Sequence, residues 1–160
     1  TLVGQHLGAG DSEGAVSSGW RALAMAIGSM VVLSIVIALF ANEIARYLIN
    51  DDEVVRLTVV FIYIMALVQP LMAVEFTLGG CLRGAGDTRF PLMTTMVGLC
   101  GVRVGLAAVF VLLGFSVEWI YAALIGDYIV KAVMLLYRFH GGKWQHIFSD
   151  SEKKFAQLQS

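Results

Sequence analysis

Charged residues vanish from Ala22 to Asn42, an uninterrupted run bounded by Arg21 and Glu43. About 20 apolar residues at 1.5 Å rise per residue cross a hydrocarbon core about 30 Å thick. This run therefore predicts a membrane-spanning helix. Asn50-Asp51-Asp52-Glu53 breaks the pattern, and Leu57 to Val74 follows as a second uncharged run, containing Gln69 and Pro70. Proline is tolerated inside membrane helices and often kinks them. Gly79 to Thr88 reads as a glycine-rich turn, with Arg83, Asp87 and the adjoining Arg89. Phe90 to Val117 is then a longer apolar run with a single charge, Arg103. A short connection at Gly114–Glu118 leads to a fourth apolar segment, Trp119 to Tyr137, interrupted by Asp127 and Lys131. The expectation is an all-α polytopic membrane protein. Its four spans lie at about 20–45, 55–80, 90–113 and 119–138, behind the end of a preceding helix and before a polar tail at 139–160.

Composition sharpens this reading. Of the 160 residues, 58% are hydrophobic and 14% charged, whereas soluble domains carry about a quarter charged residues. The net charge of -1 shows no basic excess, which argues against nucleic acid as a partner. The two cysteines, Cys81 and Cys100, form no CxxC pair, and His6, His140 and His146 are scattered, so no metal site is expected. The chain opens on Thr1 without a basic leader, and the expectation is a piece of a longer protein.

Orientation follows from the basic residues. With four spans both ends share one face, which carries Arg21, Arg83, Arg89, Arg138, Lys143, Lys153 and Lys154; the other face carries Arg46 and Arg56. Positive residues favour the cytoplasmic side, so both ends and the glycine-rich turn are expected there.

Gly-Ala-Gly-Asp occurs twice, at 8–11 and 84–87. Physically, glycine can end a helix and aspartate can cap the next one, and that bland role is favoured as the whole explanation. Neither copy is a phosphate loop, because GxxxxGK[ST] is absent.

The segment Val3-Gly4-Gln5-His6-Leu7-Gly8-Ala9-Gly10-Asp11 resembles the loop after the second helix of a lobe in the multidrug and toxic compound extrusion (MATE) family. Leu82-Arg83-Gly84-Ala85-Gly86-Asp87-Thr88-Arg89-Phe90-Pro91 resembles that family's loop between the fourth and fifth helices of a lobe. Val102-Arg103-Val104 and the Asp127…Lys131…Tyr137-Arg138…Gly142-Lys143-Trp144 pattern are similar to further family features. The resemblance implies four helices of a six-helix lobe, the C-terminal one because a basic tail follows the last span. It implies a twelve-helix exporter whose other lobe is the missing N-terminal partner. It further implies secondary active efflux of organic, often cationic, compounds by Na+ or H+ antiport through alternating access, with no organic cofactor and no enzyme activity. A related flippase for lipid-linked sugars and a non-transporting membrane scaffold are the alternatives. The expected location is a cell membrane, bacterial inner membrane by resemblance, with the lipid bilayer and a small organic substrate as partners.

Ionisable residues within spans are costly and count as functional candidates. Arg103 precedes the hairpin turn near Phe115-Ser116 by about as far as Asp127 follows it, so antiparallel neighbours hold the two at one depth. Lys131, at i+4, can share the Asp127 carboxylate. Packing of the last two helices is the favoured role for these three charges. Glu75 is the membrane-region acid with no basic partner nearby in sequence. It reads equally as an ion-coupling acid and as an interfacial residue reaching Arg83, Arg89 or water. Some family members carry an acid at the position of Met72, three residues earlier on roughly the same helix face. Either the site has shifted by a turn, or coupling resides in the other lobe, which is the favoured alternative. Gln69 and Pro70 complete the candidates, Pro70 as a static kink before a hinge. Met65, Met72, Met93, Met96, Phe61 and Phe76 could line a cavity, though lipid or core is the expected setting for most. In the tail, Trp144, Ile147, Phe148, Phe155 and Leu158 approximate one face of a short helix on the inner leaflet, against a disordered end.

Overall fold

The aspartates that precede the two longest helices fold back onto them as caps. Asp11 accepts from Gly14 N–H at 2.8 Å, and Asp51 accepts from Glu53 and Val54 N–H at 2.9 and 3.3 Å. Each satisfies a backbone donor that a helix start leaves open. The computed structural model describes the backbone of residues 2–114, 117–145 and 147, and the side chains of these except 117–122. Within it, α1 covers Leu2–Gly8, α2 Ser12–Leu39, α3 Ala41–Leu48 and α4 Asp52–Gly84. Then α5, Arg89–Met96, leads into a π-helical segment, Val97–Val104, and on through α6, Gly105–Leu112, to α7, Val117–His140. All regular structure among the described residues is helical.

Three of these stretches are long and apolar enough to cross a membrane: Ser12–Leu39, Asp52–Gly84 and Arg89–Leu112. The fourth expected segment is occupied by α7, 24 residues or about 36 Å long. Several boundaries differ from the sequence expectation. The first span begins at Ser12 rather than near residue 20, because the Asp11 cap starts the helix upstream of the charge-free run. It stops at Leu39, and α3 restarts at Ala41, where an expected single span continued to 45. The buried Ala41 and Ala45 seat α3 beside α4. The second span is longer than 55–80 at both ends. Helix α4 continues through Gly79 and Gly80, which were expected in a turn, and Pro70 lies within it. The turn is confined to Ala85–Thr88, where Gly86 adopts φ +88°.

The core gathers α2, α4 and α7 around Leu23, Val74, Leu78, Leu82, Ala132, Leu135 and Phe139, with Val3 and Leu7 of α1 added at one end. Trp144 belongs to this core and is fully buried. It stacks on Phe139 with centroids 4.9 Å apart and donates Nε1–H to the Phe139 carbonyl at 2.9 Å. The expectation of Trp144 on a membrane-surface helix is thereby corrected: its ring is covered by protein. Phe148, Phe155 and Leu158 of the same expectation lie outside the described residues.

Candidate functional site

Two clusters collect most of the residues that the sequence singled out, but not Gln69, Pro70 and Met72. The first is the loop end. The two Gly-Ala-Gly-Asp copies form the same turn, bond for bond. Ala9 N–H and Ala85 N–H reach back four residues to Gln5 and Cys81 carbonyls. Gly10 and Gly86 reach back three residues to Leu7 and Arg83, and Asp11 and Asp87 five residues to His6 and Leu82. Gly10 and Gly86 both hold positive φ, 77° and 88°, where glycine carries no Cβ penalty. The copies then diverge. Asp11 is exposed, and His6 Nδ1 lies 3.0 Å from its Oδ2. The Gly14 N–H and then the His6 contact hold the Asp11 carboxyl below its ordinary value of 3.8. Asp87 is buried and accepts from Phe90 N–H at 3.3 Å. It also takes Arg138 of α7, whose Nε and Nη2 stand 2.9 and 2.8 Å from Oδ2, while the guanidinium lies over the Phe90 ring at 5.1 Å.

The two loops also meet. A Cβ on Gly4 would stand 2.6 Å from the Gly84 carbonyl oxygen, so α1 and the end of α4 touch through backbone. On the same end, Trp20 packs edge-on to Phe139 at 5.5 Å, and Phe139 fills the space that Gly19 leaves open. Gln5, Gly8 and Arg83 are exposed there. No local sequence signal pairs Asp87 with the distant Arg138, or Trp20 with Phe139.

The second cluster lies within the membrane-spanning region. Arg103 leaves the π-helical segment and sets Nη2 2.9 Å from Asp127 Oδ2 on α7. Lys131, one turn along α7, brings Nζ to 3.2 Å from the same oxygen. Lys131 Nζ also stands 3.5 Å from Glu75 Oε1 on α4. Glu75 therefore has a basic partner, Lys131, rather than the Arg83 or Arg89 of the interfacial alternative. The partner is remote in sequence and reaches Glu75 because α4 packs on α7. Two cations and two anions thus form one chain across three helices.

The arrangement is close but electrostatic. Asp127 is fully buried, yet neither of its oxygens has a hydrogen bond of proper geometry, although two cations lie within ion-pair distance of Oδ2. Distance and angle disagree here, and distance decides the charge balance because Coulomb attraction has little angular preference. Tyr128 offers its ring to both cations, 5.1 Å from Lys131 Nζ and 5.5 Å from the Arg103 guanidinium carbon. Gly98 makes the approach possible: a Cβ there would overlap Asp127 Oδ1 and the Lys131 stem. The chain of charges is buried at its middle, 0% exposed at Asp127 and 6% at Lys131, and more open at its ends, 19% at Glu75 and 32% at Arg103. Met72, Gln69 and Pro70 are half-buried on α4, and no charge contact among the described residues joins them to the cluster. Met93, Met96, Phe61 and Phe76 are exposed, and Met65 is half-buried. No group of three potential metal-ligating side chains occurs among the described residues.

Comparison with known proteins places this architecture. The family model described as MatE matches residues 1–109. A "Probable multidrug resistance protein NorM" of Thermotoga maritima is 30% identical over 151 residues, covering 91% of this chain and 32% of that protein. A protein of the same description from Brucella suis is 31% identical over 112 residues, covering 67% of this chain and 24% of that protein. An "Uncharacterized transporter YisQ" of Bacillus subtilis is 22% identical over 144 residues, covering 89% and 32% respectively. The chain spans about a quarter to a third of the length of these curated relatives. No solved structure matches it.

Proposed function

The chain belongs to the MatE family of multi-pass membrane transporters, and on that premise we propose that it serves as the C-terminal part of a secondary active exporter. In this reading the exporter expels organic, often cationic, compounds in exchange for Na+ or H+. It alternates between inward- and outward-open forms as this lobe rocks against an N-terminal partner lobe. The loop end faces the cytoplasm, in keeping with the excess of basic residues on that side. The activity is transport rather than catalysis, with no organic cofactor.

One observation carries the assignment of the coupling acid. Glu75 is the more exposed of the two carboxylates in the charge chain, 19% against 0% for Asp127, and its ion-pair contact is the longest of the three, at 3.5 Å. Asp127, by contrast, is held between Arg103 and Lys131, which leaves it no net attraction for a third cation. Glu75 is thus the acid that can exchange its partner. Met72 at the alternative position supplies no charge.

The test is efflux of a fluorescent organic cation from vesicles containing the complete transporter, with Na+ and H+ gradients imposed separately. Glu75→Gln is expected to abolish gradient-driven efflux while the protein still inserts and folds. Gradient-driven efflux equal to wild type in Glu75→Gln would remove Glu75 from coupling and move that role to the partner lobe. Absence of any gradient-dependent flux in the wild type would favour a scaffold role. Flux of a lipid-linked sugar in place of the organic cation would favour the flippase reading.

A further inference from the structure

Resting on Glu75 as the coupling acid, we propose that Lys131 is a tethered counter-cation that occupies Glu75 between transport events and competes with the incoming coupling ion for it. The geometry has three parts. Lys131 Nζ lies between two carboxylates, 3.5 Å from Glu75 Oε1 and 3.2 Å from Asp127 Oδ2, so a small swing of its flexible stem transfers it from one to the other. The receiving end is prepared, because Asp127 is fully buried with both oxygens lacking a properly formed hydrogen bond. An ammonium that lets go of Glu75 can complete one there instead of becoming a stranded charge. The remaining balance is kept by Arg103, which stays on Asp127 at 2.9 Å.

Charge counting then fixes the direction of the effect. With Lys131 on Glu75, the described charges of the cluster are Arg103, Lys131, Asp127 and Glu75, two of each sign. When Na+ or a proton neutralises Glu75, the other three carry a net positive charge of one. That charge rests on Arg103 and Lys131 around a single carboxylate, with the Tyr128 ring facing both cations. Lys131 therefore weakens coupling-ion binding at Glu75 and favours release of the ion once the site opens to the opposite side. A carboxylate without this competitor would hold the ion and turn over slowly. Lys131 touches no transported species in this scheme; it is a positioning residue acting through Glu75.

The experiment measures cation-dependent thermal stabilisation of the purified complete transporter. NaCl is titrated at fixed pH and pH is titrated without Na+, for wild type, Lys131→Met, Lys131→Arg and Glu75→Gln. Lys131→Met removes the competitor while Arg103 keeps Asp127 paired, and its unbranched side chain suits the apolar site. It is expected to lower the half-saturating concentration of the coupling cation about tenfold or more, the size of effect one adjacent charge exerts on a carboxylate. Lys131→Arg is expected to keep the wild-type dependence, and Glu75→Gln to lose it. Whichever titration responds identifies the cation. An unchanged half-saturation in Lys131→Met, with Glu75→Gln still abolishing the response, would overturn the role of Lys131 and leave Glu75 as the coupling acid. An undiminished response in Glu75→Gln would overturn both. Should Lys131→Met fail to fold, Lys131→Gln carries the same expectation and the same refutation.

Discussion

A methyl group added at Gly98 would overlap Asp127 Oδ1 and two carbons of the Lys131 stem, so both side chains of this ion pair would have to shift to admit it. Gly98→Ala is therefore expected to destabilise the protein by about 1–3 kcal/mol, the usual cost of overpacking a filled site. Thermal unfolding in detergent checks this, with Gly101→Ala as control, since the Gly101 position faces open space within the chain. Asp11 offers a residue-scale test of a different kind. Its carboxyl is held below 3.8, so the ionised form is favoured in the folded state. Its contribution is complete above the ordinary value and is lost as pH falls through the depressed one. The stability difference between wild type and Asp11→Ala should be constant near neutrality and shrink below pH 3.8. A difference that grew on acidification would contradict the cap. Residues of this sort were partly legible in sequence. The repeated Gly-Ala-Gly-Asp announced two helix ends with caps, and both copies do this. What the repeat could not announce is that Asp87 would be buried under Arg138 while Asp11 stays exposed, because that depends on where α7 ends.

At the scale of elements, the expectation that Arg103 and Asp127 share one depth followed from counting residues on either side of a hairpin, and the two groups do meet. Counting worked because both lie on neighbouring helices joined by a short connection. Glu75 escaped the same reasoning because its partner sits on a helix two crossings later in the chain, and nothing local reports that α4 and α7 are neighbours. The interruption at Phe40 was hidden for another reason: charge-free sequence continues to Asn42, and an apolar break looks like an apolar helix. The π-helical turn over Val97–Val104 has no composition of its own, yet it is the segment that delivers both Gly98 and Arg103 to α7. A double-mutant cycle tests the fastening of these elements. Asp127→Asn and Arg103→Gln should each destabilise the protein, with the pair less than additive by about 0.5–3 kcal/mol. Strict additivity of unfolding free energies would show that the two side chains do not couple. Asp87→Asn with Arg138→Gln should behave likewise at the loop end, where Arg138 meets the buried Asp87 at 2.8 Å.

For the whole molecule, the direction of insertion is the quantity that hydropathy alone leaves open and that basic residues decide. Single cysteines at Ser12 and Thr88, in a background free of other cysteines, are expected to react with an impermeant maleimide only from the cytoplasmic side. A cysteine at Asn50 should react only from outside. Labelling of Ser12 and Thr88 from opposite sides would be incompatible with the shared end described for the two loops. The helical kind of the elements was readable across the chain because a bilayer imposes a length and a polarity on anything that crosses it. How the crossings pack was not readable, since lipid-facing and helix-facing surfaces are both apolar and differ in shape rather than in composition.

The contact between Gly4 and the Gly84 carbonyl has a consequence for anyone recombining such proteins. The two loops are far apart in sequence but share one backbone surface, so neither is an independent module. A chimaera joined anywhere between them inherits one side of that surface from each parent. It can close only if the residue at position 4 brings no Cβ and the opposing carbonyl keeps its place. Crossover points before Gly4 or after Asp87 leave the surface whole, and those are the junctions at which grafted lobes should survive.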